Sequence, residues 1–118
     1  MKYIPKVVAP TLDVVRSVGG FRTLPDYSFQ TMPADYAALV LVGGMHWQSP
    51  EAEQVVPIVQ DALQRGKIVG AICNASAFMG AHGFLNDVKH TSNTLPYLKQ
   101  FAGSAYTNEA GYQEKQAV

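Results

Sequence analysis

The chain has 118 residues, 47% of them apolar, and its nine basic and nine acidic side chains cancel at pH 7. That length suits one core and a single α/β domain over residues 1–118, and a neutral balance without a Lys/Arg cluster argues against nucleic acid or an acidic membrane as partner. One cysteine excludes an internal disulfide framework, no stretch approaches the ~20 apolar residues of a membrane span, and the start from Met1 to Lys6 leads into no signal-like apolar run, so a cytoplasmic protein is expected.

In chain order, Lys6 to Ala9 reads as a short strand stopped by Pro10, and Gly19-Gly20 as a turn. Phe21 to Leu24 is another short extended piece, closed by the turn pair Pro25-Asp26. Ala37 to Val42 is continuously apolar and stops at Gly43-Gly44. Such a run marks a strand covered on both faces, as in parallel sheets sandwiched by helices. Ser49-Pro50-Glu51 supplies a cap, a proline for the first turn and an early acid. Ala52, Val55, Val56, Val59, Ala62 and Leu63 then recur at helical spacing as far as Gly66. Pro57 inside that span either opens a second segment or kinks the first, because its ring clashes one turn back.

Lys67 to Ile72 is the next apolar strand, so strand, helix and strand form a βαβ unit with an expected right-handed crossover. Residues 74–82 form a short helix of small and apolar side chains stopped by Gly83. Val88 to Thr91 is expected to be a strand, Leu95 to Phe101 a short helix, and the rest mostly loop. The class is α/β, with an open, mostly parallel sheet and helices on both faces.

Reactive groups in such sheets collect at the carboxyl ends of the strands. One strand ends at Gly43-Gly44 and the next at Cys73-Asn74. A cysteine where a strand turns into a helix meets unpaired amide N–H groups and the positive end of the helix dipole, both of which favour thiolate. Cys73 could attack a carbonyl while the N–H groups of Gly44 and Asn74 receive the oxyanion. The competing reading of Cys73 is a small buried hydrophobe. Gly43-Gly44 serves either close approach to a ligand or a turn with positive φ. A thiol nucleophile ordinarily uses a histidine base. His46, beside Trp47, could border the cleft; His90 lies on the strand after the cysteine helix; and dipole contact explains His82 at a helix end. Asp35, Glu51, Glu53 and Asp61 read as solvated. No metal-ligand spacing occurs, so neither metal nor cofactor is expected.

Three stretches, Asp35 to Gly44, Gly66 to Ala75 and Gly83 to Asn93, resemble the ThiJ/PfpI superfamily of class I glutamine amidotransferase-like proteins, which have a flavodoxin-like fold. Trp47 and Lys89-His90-Thr91-Ser92-Asn93 are most similar to a bacterial branch labelled glutamine amidotransferase or intracellular protease/amidase. The resemblance implies a reactive Cys73 on a strained elbow, oxyanion donors at Gly44 and Asn74, and a homodimer. Gly43, His46 and Trp47 would contact a small-molecule substrate, and Asn93 or His90 would orient it. Members include proteases or amidases, glyoxalase- or deglycase-like enzymes, isonitrile hydratases, chaperone-like proteins and oxidation sensors. Two functions follow: cysteine chemistry on a small carbonyl or amide, or a non-catalytic oxidation response through Cys73 and a dimer surface.

The chain departs from the family pattern in four places. The glutamate that hydrogen-bonds the cysteine belongs to a strand and helix expected before residue 1. Asn74 stands where many protease-like members have histidine. Asn93 stands where others place a histidine after the threonine, and strand alternation points His90 to the opposite face. The histidine and glutamate of true amidotransferases belong to a region expected after residue 118. A chain of this extent is expected to leave apolar strand faces or edges open.

Overall fold

A computed structural model describes residues 2–114. The chain divides into two compact units, residues 1–36 and 37–118.

The first unit is built from four two-residue strands: β1 (Val8–Ala9), β2 (Val15–Arg16), β3 (Arg22–Thr23) and β4 (Tyr27–Ser28). β1 pairs in parallel with β4, and β2 pairs antiparallel with β3. The β2–β3 turn closes where the Gly20 amide bonds Ser17 O at 2.9 Å, with Gly20 at φ 87°, a conformation that favours glycine. Asp26 ties β1 to the β4 end, its Oδ2 accepting from the Val7 amide at 2.8 Å.

The second unit holds the βαβ arrangement. β5 (Ala38–Leu41) and β6 (Ile68–Ala71) pair in parallel, Ala38 opposite Ile68 and Leu41 opposite Ala71. Between them runs a 3-10 segment, Pro50–Val55, that passes directly into α1 (Val56–Gln64). Pro57 falls in the first turn of α1, where its missing N–H costs nothing, so it opens a second segment rather than kinking one helix. Ser49 occupies the cap position, but its hydroxyl donates instead to His46 O at 2.6 Å. Gly66, at φ 69°, ends the helix and returns the chain to the sheet.

α2 (Asn74–Ala81) follows β6, and α3 (Leu95–Ala102) packs against it. Thr94 caps α3 by accepting from the Tyr97 amide at 3.2 Å, which satisfies one of the unpaired donors of its first turn. Val59, Ala62, Ala75 and Leu98 are fully buried, and Phe78, Met79 and Ala102 nearly so. The strand expected at Val88 to Thr91 is reduced to one parallel bridge, His90 opposite Tyr112, because Asn108 side-chain amide hydrogens bond Leu85 O and Val88 O and hold that stretch as loop. Beyond α3 come the 3-10 turns Gly103–Ala105 and Glu109–Gly111.

The open apolar strand face expected from the sequence is present in the β5–β6 pair. β5 and β6 are covered on one face only. Ala38, Val40 and Val42 alternate outward with Ile68 and Ile72, and Val40, Val42, Ile68 and Ile72 are 55%, 69%, 73% and 55% exposed. Leu41, of the other parity, is buried. The covered face meets α1 and α2, which both pack on β6.

Candidate active site

Cys73 is the only residue other than glycine with positive φ among the described residues, at φ 55° and ψ −122°. Its side chain is exposed. The conformation follows from its neighbours. Ile72 N–H still bonds Leu41 O at 3.0 Å, as in the sheet, while the Ser76 amide already takes Cys73 O at 2.9 Å, as in a helix. One residue must make the whole change of direction, and backbone so bent costs about 1–3 kcal/mol. A buried pair of hydroxyls helps hold it. Ser76 Oγ donates to Cys73 O at 2.6 Å, so the 2.6 Å contact between Ser76 Oγ and Ser92 Oγ must be donated by Ser92.

Three groups converge on the elbow. Asn93 Nδ2 donates to Cys73 Sγ at 3.4 Å. Asn74 Nδ2 donates to Gly44 O at 3.1 Å, tying the two strand ends together. Tyr97 donates its one hydroxyl hydrogen to Asn74 Oδ1, and its oxygen also meets the Cys73 side chain. Burial first, then the charge and hydrogen bond of Cys73, raise the Tyr97 pKa above 10. The phenol therefore remains a neutral donor across the physiological range.

Gly43 and Gly44 resolve into different tasks. Neither lies in the left-handed region (Gly44 is extended, at φ 173°), so the tight-turn reading does not hold. A Cβ on Gly43 would lie 3.2 Å from both Cys73 Cβ and Ile72 O, so absence of a side chain lets the two strand ends approach. At Gly44 a Cβ would meet open space. Among the described residues no backbone partner takes the amides of Gly44 or Asn74.

Trp47 and His46 follow in a 3-10 turn, Met45–Gln48. Trp47 Nε1 donates to Val42 O at 2.7 Å and its ring lies 4.9 Å from Phe78. His46 is exposed, and its carbonyl anchors Ser49. His90 is occupied elsewhere: Nδ1 bonds Val88 O at 2.8 Å and Nε2 bonds Tyr106 Oη at 2.7 Å. The structure thus brings Cys73, Gly43, Gly44, Asn74 and Asn93 together, and directs the His90 ring to Tyr106. Tyr97 was not singled out from sequence. Its signal was Thr94-Leu95-Pro96, a cap and an N-terminal proline that place Tyr97 in the first turn of α3. Among the described residues no group of three His, Cys, Asp or Glu could hold a metal ion. No helix among them is long and apolar enough to cross a membrane.

Comparison with known proteins agrees on family and fold. Residues 2–118 match the DJ-1/PfpI family. The chain is 35% identical over 105 residues to a Bacillus subtilis protein named uncharacterized protease YdeA, covering 89% of this chain and 52% of the relative. It is 31% identical over 107 residues to another from that organism, uncharacterized protease YoaZ, covering 90% and 50%. Among solved structures, the thiJ/pfpI family protein of Bacillus anthracis superposes with a TM-score of 0.82 at 32% identity, covering 90% of this chain and 50% of that one. The DJ-1 superfamily protein Atu0886 of Agrobacterium tumefaciens gives 0.78 at 38% identity, covering 92% and 58%. The chain spans about half the length of the curated relatives it matches. The parallel β5–β6 pair and its helices are accordingly part of a flavodoxin-like α/β fold.

Proposed function

The chain belongs to the DJ-1/PfpI family, and from that premise we propose that Cys73 is the nucleophile of a hydrolase- or lyase-type reaction on a small carbonyl or amide. The single observation that carries this reading is the elbow itself: an exposed thiol on strained backbone at the start of α2, with Asn93 Nδ2 donating to its sulfur. Hydrogen bonds donated to sulfur favour the charged form, as does the helix N-terminus. The names of the two Bacillus subtilis relatives support the protease-like branch of the chemistry.

The thiolate of Cys73 attacks the carbonyl carbon. A carbon–sulfur bond forms and the π pair moves to oxygen. Gly44 and Asn74 N–H groups receive that oxyanion, while the Asn74 side chain, clamped between Gly44 O and Tyr97, keeps the two amides in register. From an amide, collapse expels the amine, which takes a proton from water, and a second water cleaves the thioester to regenerate the thiol. From an aldehyde, the oxyanion takes a proton from water and the first step ends in a thiohemiacetal. Tyr97, kept neutral, is a positioning residue, and His46 and Trp47 line the approach. His90, bonded to Val88 O and Tyr106, takes no part in this step. The homodimer and the cytoplasmic location belong to the same proposal.

A second reading, oxidation sensing, is favoured by the exposure of Cys73, since peroxide reaches it and Asn93 Nδ2 can donate to a sulfenate oxygen. One experiment separates the two. Iodoacetamide labelling against pH should show a thiol titrating below the ordinary ~8.5, and Cys73→Ser should abolish turnover of an aldehyde and amide panel with the fold intact. A titration at or above ~8.5 sinks both readings. Turnover surviving in Cys73→Ser sinks the first. A low-pKa thiol that peroxide oxidises, without any turnover, selects the second.

A further inference from the structure

A cleft of about 230 Å³ opens beside the elbow helix, one to two turns along α2 from Cys73, between Trp47, Phe78, Phe101, His82 and Glu53. We propose that it is a binding site for a small alkylammonium headgroup, beside the Cys73 site and sharing Trp47 with it.

The walls choose the ligand. Three aromatic side chains line the cleft, and the ring faces carry the negative side of their quadrupole. Trp47 and Phe78 are locked as a tilted pair at 4.9 Å, with His82 4.6 Å beyond Phe78, so this wall is held as one ladder of rings. Phe101, on α3, supplies the third. The anionic group is Glu53, 64% exposed, whose Oε1 is 3.2 Å from His82 Nε2. Among the described residues no lysine or arginine lines the cleft. The Ser49 hydroxyl, also at the cleft, is spent on His46 O. An anion would therefore meet aromatic carbon and a carboxylate, whereas a soft cation meets the Glu53 carboxylate, which His82 also contacts, beside the Trp47 and Phe101 rings. Size restricts it further. Drug-sized ligands need about 300–1,000 Å³, so this cleft takes a headgroup, such as a trimethylammonium, and leaves its chain outside.

The molecule carries its own reporter, because Trp47 is the only tryptophan. Titration of the 118-residue protein with choline should give a saturable change in Trp47 emission and a matching shift of its indole N–H resonance. The uncharged isostere 3,3-dimethylbutan-1-ol should bind about tenfold more weakly. Glu53→Gln should weaken choline about threefold without lowering the melting temperature, and Phe101→Leu, at a 41% exposed position, should weaken it comparably. A trimethyllysine peptide binding more tightly than choline identifies a modified protein as the source of the cation; equal binding identifies a free metabolite. No saturable shift of the Trp47 resonance through the high-millimolar range overturns the site. Equal binding of alcohol and choline overturns the charge argument and reduces the cleft to an apolar hollow.

Discussion

At residue 73 one side chain carries both strain and chemistry. A non-glycine residue at φ 55° and ψ −122° is held there by the Ile72–Leu41 sheet bond on one side and the Ser76–Cys73 helix bond on the other. Glycine reaches that conformation without the Cβ conflict, though it loses more entropy on folding. Cys73→Gly should therefore stabilise the protein by about 1 kcal/mol in urea titration while removing all thiol reactivity; a loss of stability would show that the elbow is unstrained. The cysteine and Asn74 were legible as a strand-to-helix junction because an apolar run meets small residues there. The partners of the sulfur were only half legible. Asn93 could be named from its place after the threonine, but Tyr97 reaches the site from α3, 23 residues along the chain from Asn74, and such a contact leaves no mark in local pattern.

At the scale of elements, α2 and α3 are fitted at a glycine. A Cβ on Gly80 would lie 2.8 Å from Ala102 Cβ and 3.2 Å from Leu98 Cδ1, and Leu98 is fully buried. Alanine favours a helix over glycine by about 1 kcal/mol, yet overpacking of a close contact costs about 1–3 kcal/mol. The clash wins. Gly80→Ala should lower stability by about 1–2 kcal/mol, measured by thermal unfolding, and because α3 carries Tyr97 it should also loosen the Tyr97–Asn74 bond beside Cys73. Unchanged or raised stability would mean that α3 is free to retreat. The small-residue composition of 74–82 announced a helix, but which neighbour required glycine at 80 was decided by packing. At Pro57 the sequence allowed either a second segment or a kink, and the structure chose the first, with α1 beginning at Val56 and the proline in its first turn.

Across the whole molecule, the β5–β6 sheet sets an apolar face toward solvent. Val40, Val42, Ile68 and Ile72 are each more than half exposed, and such a patch favours association. Replacing Val40 and Ile68 by threonine keeps β-branched residues suited to a strand. The double variant should unfold within about 0.5 kcal/mol of the parent, bind less of a hydrophobic dye and stay soluble at higher concentration. A large loss of stability would show that this face is already packed in solution.

By itself the sequence determined the order of β5, α1, β6, α2 and α3, the parallel βαβ class, the elbow at Cys73 and the family, because each rests on local periodicity, on breakers, or on motifs contiguous in the chain. Tertiary structure alone decided the approach of Gly43 to Cys73, the Asn74–Gly44 tie, the turning of His90 to Tyr106, the arrival of Tyr97 and the open face of the sheet. The physical reason is the same throughout. Local pattern records which backbone states are favourable, whereas contacts between distant segments depend on how helices and strands come together in space.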